Sequence, residues 1–536
     1  MPKTKLLLLA ACILGLVLRT IWIDRLPIGF TPDEAALGYN AYSLLRTGRD
    51  EWGTPFWQLP FTNLKSFGDY KLPLYSFLTV PTVKLFGLNE FSTRLPNAVF
   101  GNLSIISVFL LTRRLFDRSA AIAAATLMAV SPWSIQMSRL ALEANLVTFF
   151  LPLAVYAWIS RRWFSAIVLL ALNFYSYHSA RLLTLLMIPL LFALYRPQKI
   201  VILKSSILIL ILLLPGLYSL AGSGSVRGAD VAIISPTDSW SAVADRRFAA
   251  RISGLPDGVA RIFSNKLVYT VSVFTKNYLS YLSPQFLFTS GAGESTYGMI
   301  PGRGLLYYIE LPLLLAFVIL LFRSPGRQNI LLLALVLITV LPAALAKGQG
   351  YSANRVAAML PFLAVMAAAG LVYLFNRTLP FKQLLKLGVV IGYCLLVTFF
   401  VEDYIYHSPR VLARGMNHGL SETINRTLNL ANDLRKNIYF SRSLSEPHIY
   451  LAFYSQLDPD FYQWEINQYQ GFQSEGYKFL DQYPEISILN WHFGSVSGDK
   501  PGLHVGRPDD FPADFPEHFH IDYPDGSTAV KVIENP

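Results

Sequence analysis

Charged residues are scarce and cysteine is almost absent in this chain of 536 residues. Only 15% of the residues are Asp, Glu, Lys or Arg, whereas 53% are hydrophobic, and the mean hydropathy is +0.41. Soluble globular proteins carry about 25% charged residues, so this composition excludes a soluble protein and predicts a membrane protein. Cys12 and Cys394 both lie in apolar stretches. They therefore provide neither a disulfide framework nor a cysteine-rich metal site.

The sequence also lacks the motifs of several nucleotide-dependent and metal-dependent proteins. It contains no P-loop, no Gly-x-Gly-x-x-Gly at a strand-to-helix turn and no His-Glu-x-x-His. These absences argue against nucleotide-driven transport and zinc proteolysis. Lys and Arg number 45 against 34 Asp and Glu, but the basic residues flank the apolar runs. A nucleic-acid partner is therefore not expected.

Apolar windows predict about eleven transmembrane helices, although several are shorter than the ~20 residues of an ideal span. Basic residues fall on alternate connections between the windows, as they do in cytoplasmic loops. We therefore expect a multi-pass protein of the cell inner (plasma) membrane, with a cytoplasmic N-terminus. The windows lie at 5–23, 92–112, 119–131, 145–159, 163–175, 182–195, 200–221, 306–322, 329–346, 356–375 and 386–401.

Two local alternatives accompany this topology. The residues up to Cys12 loosely match a lipoprotein cleavage box. The apolar run before Cys12 is short for a signal peptide, so we interpret this segment as the first helix. The stretch 164–195 is long enough for one tilted crossing. Its two basic flanks would then lie on opposite sides of the membrane, which favours a tight outward hairpin at 175–181 instead.

These features predict a mostly α-helical polytopic membrane domain over 1–401 and a small extracytoplasmic α/β domain over 402–536. In the first domain, the outer loop 24–91 is expected to carry interfacial helices, and the outer loop 222–305 is expected to form a lid or a structural loop.

In the second domain, the pattern predicts a helix over 422–436 and strands at 438–440 and 486–489. It also predicts a hairpin that joins 518–523 to 528–533 through Asp525-Gly526. His518 and His520 would share a strand face. Without a third ligand we predict no metal site there.

Ionisable residues near the outer ends of the spans are candidates for function, because such groups are costly in a bilayer. Asp33 and Glu34 open a predicted helix, where acids also act as ordinary caps. Asp69, Tyr70 and Lys71 favour a pocket that faces a phosphate, although Lys71 could simply extend to lipid headgroups.

Later outer segments add further charged groups. Arg139 and Glu143 are four residues apart, a spacing that also suits an ion pair within one helix. Arg355 precedes a span at the outer side, where a lipid phosphate is the natural partner. Glu294 and Tyr297 are weaker candidates. The predicted catalytic residues are Asp33, Glu34 and Glu143, and the predicted substrate-binding residues are Asp69, Tyr70, Lys71, Arg139, His178, Arg181, Tyr351 and Arg355.

Four motifs taken together resemble a known superfamily. They are Asp33-Glu34, Gly68-Asp69-Tyr70-Lys71, Phe91-Ser92-Thr93-Arg94-Leu95-Pro96, and Asn354-Arg355 with Pro361. As a set they resemble the C-type glycosyltransferases, and more narrowly the bacterial relatives of protein O-mannosyltransferases and of the aminoarabinose transferase that modifies lipid A. The resemblance is good over 1–200 and looser over 270–400.

This resemblance implies a hexosyl- or pentosyltransferase that moves a sugar from a polyprenyl-phosphate carrier to a lipid, glycan or protein acceptor. It implies that Asp33 acts as general base or orients the acceptor, and that Lys71 and Arg355 hold the carrier phosphate. Related enzymes often have aspartate where Glu143 stands, which leaves the role of Glu143 open. No cofactor is predicted, and a divalent cation is neither required nor excluded.

Two rival functions belong to other classes. A transporter or flippase for lipid-linked sugars would also place charges near a cavity. Such carriers often show repeated halves, whereas the acids here concentrate in the first two outer loops. The second rival is an envelope scaffold whose outer domain binds a partner.

Overall fold

The computed structural model describes the chain except residues 1, 68–69, 196, 223–231, 235, 349–350, 377–381, 435, 470–479, 481–482, 484, 497–499, 513–516 and 536. Asp69, one of the predicted substrate-binding residues, lies outside the described residues.

Each of the eleven apolar windows folds as a helix. The helices of the N-terminal part are Pro2–Thr20, Pro32–Thr47, Leu59–Thr62, Leu74–Phe86, Glu90–Leu115, Arg118–Val130, Pro132–Ser138, Val147–Ile159, Trp163–Phe174, His178–Tyr195 and Lys199–Ala221. Those that follow are Pro236–Ile252, Asp257–Phe263, Lys266–Tyr281, Glu310–Arg323, Arg327–Ala344, Met359–Phe375 and Lys382–Glu402. The described residues of the long outer loop predicted over 222–305 therefore include three α-helices.

The described residues contain five helices that are long and apolar enough to cross a membrane. The count is six if Arg118–Val130 and Pro132–Ser138, bent by 54°, form one broken span. An α-helix rises 1.5 Å per residue, so Trp163–Phe174 extends only about 18 Å, well short of a ~30 Å hydrocarbon core. The chain has the helices of a multi-pass membrane protein, and the number of eleven spans stays a prediction.

The helix Pro32–Thr47, which we name the first-loop helix, begins and ends with strong local signals. The Thr31 side chain accepts from the Glu34 amide, and the Glu34 side chain accepts from the Thr31 amide. This reciprocal cap satisfies two donors that a helix start leaves unpaired. At the other end, Gly48 adopts φ 70°, a left-handed conformation that glycine tolerates well.

The sequence pattern predicts that the first-loop helix lies on the membrane surface, but the structure buries most of it inside the protein. It packs against Leu74–Phe86 on one side and against the C-terminal helix Pro447–Tyr454 on another. The apolar residues that suggest a membrane-facing stripe therefore contact protein. Apolar spacing gives the same signal for both kinds of contact.

Residues 402–536 fold as a mixed sheet with helices. Two of its central strands, Trp491–Gly494 and Gly502–Gly506, run parallel to Ile438–Ser441 on either side of it. The predicted hairpin is confirmed, since Glu517–Asp522 pairs antiparallel with Thr528–Asn535. In spatial order the strands are Ile486–Ile488, Trp491–Gly494, Ile438–Ser441, Gly502–Gly506, Thr528–Asn535 and Glu517–Asp522. The helices of this part are Ser408–Leu412, Leu420–Leu434, Pro447–Tyr454 and Pro459–Asn467.

This C-terminal part packs directly on the first-loop helix. The two share one hydrophobic core. The Tyr450 hydroxyl donates to the carbonyl of Phe30 at 2.6 Å, and the Tyr39 hydroxyl donates to the carbonyl of Leu457 at 2.9 Å. The C-terminal part therefore helps to hold the helix on which Asp33 lies.

Gly38 allows this close packing, so we expect Gly38→Ala to destabilise the protein. A Cβ atom at Gly38 would lie 2.6 Å from both Phe453 Cε2 and Thr93 Oγ1. Overpacking of this kind costs about 1–3 kcal/mol, which outweighs the gain of up to about 1 kcal/mol in helix propensity. Thermal unfolding of the detergent-purified protein should show a lower Tm.

The matched control is Gly388→Ala, because Gly388 is also helical but a Cβ atom there would meet none of its described neighbours within 4 Å. Its Tm should stay unchanged or rise slightly. Equal Tm values for the two variants would contradict the packing described here.

Candidate functional site

Asp33 and Lys71 form an ion pair between the first-loop helix and a short two-stranded ribbon. The ribbon pairs Leu64–Lys65 antiparallel with Tyr70–Lys71. Lys71 Nζ lies 2.5 Å from Asp33 Oδ1, and the exposed fraction of the side chain is 6% for Lys71 and 37% for Asp33. The ammonium is therefore buried, while the Asp33 side chain is partly exposed.

Two further predicted residues fix the ribbon beside Asp33. The backbone amide of Leu72 donates to Glu143 Oε1 at 3.1 Å, and His178 Nε2 donates to the carbonyl of Tyr70 at 2.7 Å. A carbonyl only accepts, so this contact places the imidazole proton on Nε2. Glu143 and His178 thus hold the backbone on either side of Lys71.

Arg181 supports the same region from the helix His178–Tyr195. Its guanidinium donates to Asn63 Oδ1 at 2.9 Å, and Asn63 directly precedes the ribbon. The side chain also lies over the Phe174 ring, 5.4 Å from its centroid. The structure therefore brings Arg181 to the ribbon, although its contacts are with protein groups.

Glu34, the neighbour of Asp33 in the chain, is fully buried. Its carboxylate pairs with Arg94 at 2.8 Å, and neither side chain is exposed. The same carboxylate accepts from the amides of Thr31 and Ala141. Arg94 in turn donates to three backbone carbonyls in 23–29. Glu34 therefore joins the first-loop helix to two other segments rather than facing a cavity.

Arg139 also binds backbone. Its guanidinium donates to the carbonyls of Leu18, Ile21 and Leu26 at distances between 2.6 and 3.0 Å. Arg139 ends the helix Pro132–Ser138, whereas Glu143 begins a separate 3₁₀ turn. The i, i+4 spacing of the two residues suggests an ion pair within one helix. The structure instead places them in two separate elements.

A second group forms around Glu294 and the segment 351–355. Glu294 Oε2 accepts from the Ala353 amide at 3.1 Å, and burial raises the pKa of Glu294. Arg355 donates to the carbonyl of Lys347 at 2.6 Å and lowers the same pKa by its charge. Tyr351 donates to Gln285 Oε1 at 3.2 Å. Tyr351 and Arg355 are thus gathered with Glu294, apart from the contacts made by Asp33 and Lys71.

Sequence reasoning missed two buried acids directly after the first-loop helix, Asp50 and Glu51. Burial and the charge of Asp50 together raise the pKa of Glu51 to about 8, against the opposing effects of Asn40, Lys71 and Lys65. Burial also raises the pKa of Asp50 to about 6, against hydrogen bonds from backbone amides. The sequence feature that could have pointed to Asp50 and Glu51 is that two acids stand side by side in a predicted outer loop. The ribbon thus carries two lysines that interact with these acids.

No group of three or more His, Cys, Asp or Glu side chains suited to a metal ion occurs among the described residues. His518 and His520 instead lie near carboxylates, with Glu534 and Asp522 each within 3.4 Å of an imidazole nitrogen.

Comparison with known proteins adds a family match and a shared fold. Residues 71–220 match the family model of dolichyl-phosphate-mannose-protein mannosyltransferases. This range includes Lys71, Glu143, His178 and Arg181. It covers much less than half of the chain. No curated protein sequence matches the chain significantly.

Among solved structures, ArnT from Cupriavidus metallidurans bound to undecaprenyl phosphate aligns with a TM-score of 0.51 at 12% identity. The alignment covers 99% of this chain and 98% of ArnT. The Archaeoglobus fulgidus oligosaccharyltransferase tethered to an acceptor peptide aligns with a TM-score of 0.50 at 14% identity, over 84% of this chain. This chain spans 63% of that archaeal protein, less than two thirds of its length. The predicted resemblance to C-type glycosyltransferases is confirmed, and the structural likeness shows the fold.

We expect Glu34→Ala to unfold or strongly destabilise the protein, because it leaves the Arg94 guanidinium buried without its carboxylate. Breaking a buried ion pair in this way costs about 3–5 kcal/mol. Thermal unfolding and size-exclusion chromatography measure the loss. Asp33→Asn is the neighbouring control and should retain the fold, since Asp33 is partly exposed and the asparagine oxygen can still accept from Lys71. A Glu34→Ala protein with unchanged Tm would contradict this role.

Glu51 should make the protein less stable as pH rises. Its pKa of about 8 in the folded state lies above the value of about 4.3 in an unfolded chain. The folded state therefore holds a proton that the unfolded state releases, and stability falls as pH rises through this window. Between pH 6 and pH 8 the wild-type Tm should fall, and Glu51→Gln should flatten this dependence.

Glu422→Gln provides the matched control, because the Glu422 side chain is 51% exposed and should leave the pH dependence of Tm unchanged. If Tm falls equally steeply with pH in wild type and in Glu51→Gln, Glu51 is not the titrating group.

Proposed function

We propose that this chain is an integral-membrane glycosyltransferase that moves a sugar from a polyprenyl-phosphate carrier to an acceptor. The observation that carries the proposal is the Asp33–Lys71 pair, in which a partly exposed carboxylate lies against a buried ammonium. Two findings support it. Residues 71–220 match a mannosyltransferase family model, and the fold is shared with ArnT, whose structure contains undecaprenyl phosphate.

In this proposal Asp33 is the general base. The acceptor hydroxyl gives its proton to the Asp33 carboxylate while its oxygen forms a bond to C1 of the sugar. The bond between C1 and the phosphate oxygen breaks, and polyprenyl phosphate leaves. A single displacement of this kind inverts the anomeric centre. Asp33 lies in the first turn of the first-loop helix, where the helix dipole stabilises its negative charge.

Lys71 stabilises the leaving phosphate. Negative charge grows on the phosphate as the C1–O bond breaks, and a preorganised cation shielded from water stabilises that charge strongly. The donor phosphate and Asp33 compete for the Lys71 ammonium. Donor binding would therefore draw Lys71 toward the phosphate and leave the Asp33 carboxylate available to the acceptor.

The remaining predicted residues take supporting roles in this proposal. Glu143 and His178 hold the backbone around Lys71, and Arg181 holds the segment before the ribbon. Glu34 and Arg139 position the first loop against neighbouring helices. Arg355, with Tyr351 nearby, keeps in this proposal the role that the sequence resemblance implies, as a second cation for the carrier phosphate.

The alternating basic loops support a site on the extracytoplasmic side of the inner (plasma) membrane. The C-terminal part lies on that same side in this proposal, since it packs on the first-loop helix. The membrane lipids that surround the spans are the expected source of the carrier, and a lipid, glycan or protein provides the acceptor hydroxyl.

Asp33→Asn should abolish transfer while preserving the fold, because asparagine retains the shape but cannot accept the proton. General-base catalysis contributes about 10²–10⁴-fold to rate, so we expect at least a hundredfold loss. The assay follows transfer from radiolabelled polyprenyl-phosphate sugars to native envelope lipids and glycans by protein in nanodiscs.

The matched control is Asp24→Asn, an exposed acid of the same loop that should remain active. If the carrier is moved across the membrane but never consumed, and Asp33→Asn behaves as wild type, the chain is a flippase and the proposal is wrong.

A further inference from the structure

The C-terminal part contains a polar cavity of about 220 Å³ that the proposed reaction does not use. Its polar lining comes from Arg442, Glu446 and His448, and Phe493 forms part of its apolar wall. Cavities for drug-sized ligands measure about 300–1,000 Å³. This cavity is smaller, which suits a ligand about the size of one ring.

The three polar side chains offer a mixed set of hydrogen-bonding groups. The Arg442 guanidinium is held in place because it donates to the carbonyl of Tyr483. Burial and the charge of Arg442 lower the pKa of His448 to about 3, so its imidazole is neutral and has one donor and one acceptor nitrogen. Glu446 adds carboxylate acceptors, with Oε2 3.7 Å from His448 Nδ1. Donors and acceptors placed together match hydroxyl groups, which do both.

The backbone at this cavity is strained. Ser445 and Glu446 are consecutive non-glycine residues with φ of 57° and 46°. This region is unfavourable for residues with a Cβ atom, and such strain clusters at ligand-binding sites. Glu446 begins the helix Pro447–Tyr454, yet its side chain makes no capping hydrogen bond. The strained turn instead places the carboxylate at the cavity.

The cavity lies close to the Asp33–Lys71 pair. The Phe67 ring lies edge-on to His448, with ring centroids 6.4 Å apart. Lys71 Nζ lies 4.9 Å from the centroid of the same ring. The Phe67 ring therefore lies beside both a lining residue of the cavity and the proposed phosphate-binding lysine.

We propose that this cavity is a carbohydrate subsite that holds a sugar of the acceptor next to the sugar whose hydroxyl reacts at Asp33. Phe493 lies against the apolar face of the bound ring, Glu446 accepts from its hydroxyls and Arg442 donates to them. This inference rests on the proposed function and narrows it, because it makes the acceptor a saccharide of at least two rings.

Saturation-transfer NMR tests the subsite independently of catalysis. The full chain in nanodiscs is titrated with mannobiose, N,N′-diacetylchitobiose and lactose, and with a Ser/Thr-rich peptide as the rival acceptor class. We expect at least one disaccharide to bind, and Glu446→Gln and Arg442→Lys each to weaken that binding at least tenfold. Glu422→Gln, an exposed control in the same part of the chain, should bind as wild type.

Any of three results would overturn the subsite. They are no disaccharide binding to wild type, binding of the peptide alone, and disaccharide binding that is unchanged in both cavity variants. The Tm of each cavity variant shows whether a loss of binding comes from unfolding. The test is valid if at least one of the two variants remains folded. Asp33→Asn should still bind the disaccharide. Binding that persists in a chain without any transferase activity would overturn the proposed function but not the saccharide site.

Discussion

The buried ion pair between Glu34 and Arg94 is the interaction on which the geometry of the site depends. Both side chains are fully buried, and Arg94 also binds three carbonyls of the first loop. Two charges in a low-dielectric interior persist only when each is paired and hydrogen-bonded. Their pairing fixes the start of the first-loop helix relative to the helix Glu90–Leu115. Asp33, the residue before Glu34, is thereby turned toward the ribbon and Lys71.

The two adjacent acids show how position decides chemistry. Glu34 uses its oxygens for Arg94 and two backbone amides, so it contributes rigidity. Asp33 binds Lys71 and keeps an exposed side. The C-terminal part completes this arrangement because Tyr450 and the core around Phe453 pack on the same helix. A change in that distant part of the chain can therefore alter the site.

Much of the helical architecture could be predicted from sequence, because long apolar runs and capping residues are local signals. The hairpin around Asp525-Gly526 was equally readable, since turn chemistry depends on a few neighbouring residues. The number of spans could not be read in the same way, because short apolar helices and true spans have similar composition. The burial of the first-loop helix also escaped prediction, since one of the helices that cover it, Pro447–Tyr454, lies some 400 residues later in the chain.

The candidate site was predictable only in part, for the same physical reason. Asp33 and Lys71 stood out because charges near membrane spans are rare. Long-range packing, which one sequence does not display, brings Asp33 and Lys71 into contact. The same packing places Glu143 and His178 beside them and directs Arg139 to backbone carbonyls. Asp50 and Glu51 were overlooked because acids in a polar loop are usually exposed, and only the fold shows that these two are buried.

The most direct test of the central claim is a cryo-EM structure of the full chain in nanodiscs with polyprenyl phosphate. We expect the phosphate to lie against Lys71, with the Lys71–Asp33 contact lengthened and the Asp33 carboxylate facing open space. A phosphate bound elsewhere, with the Lys71–Asp33 pair still closed, would contradict it.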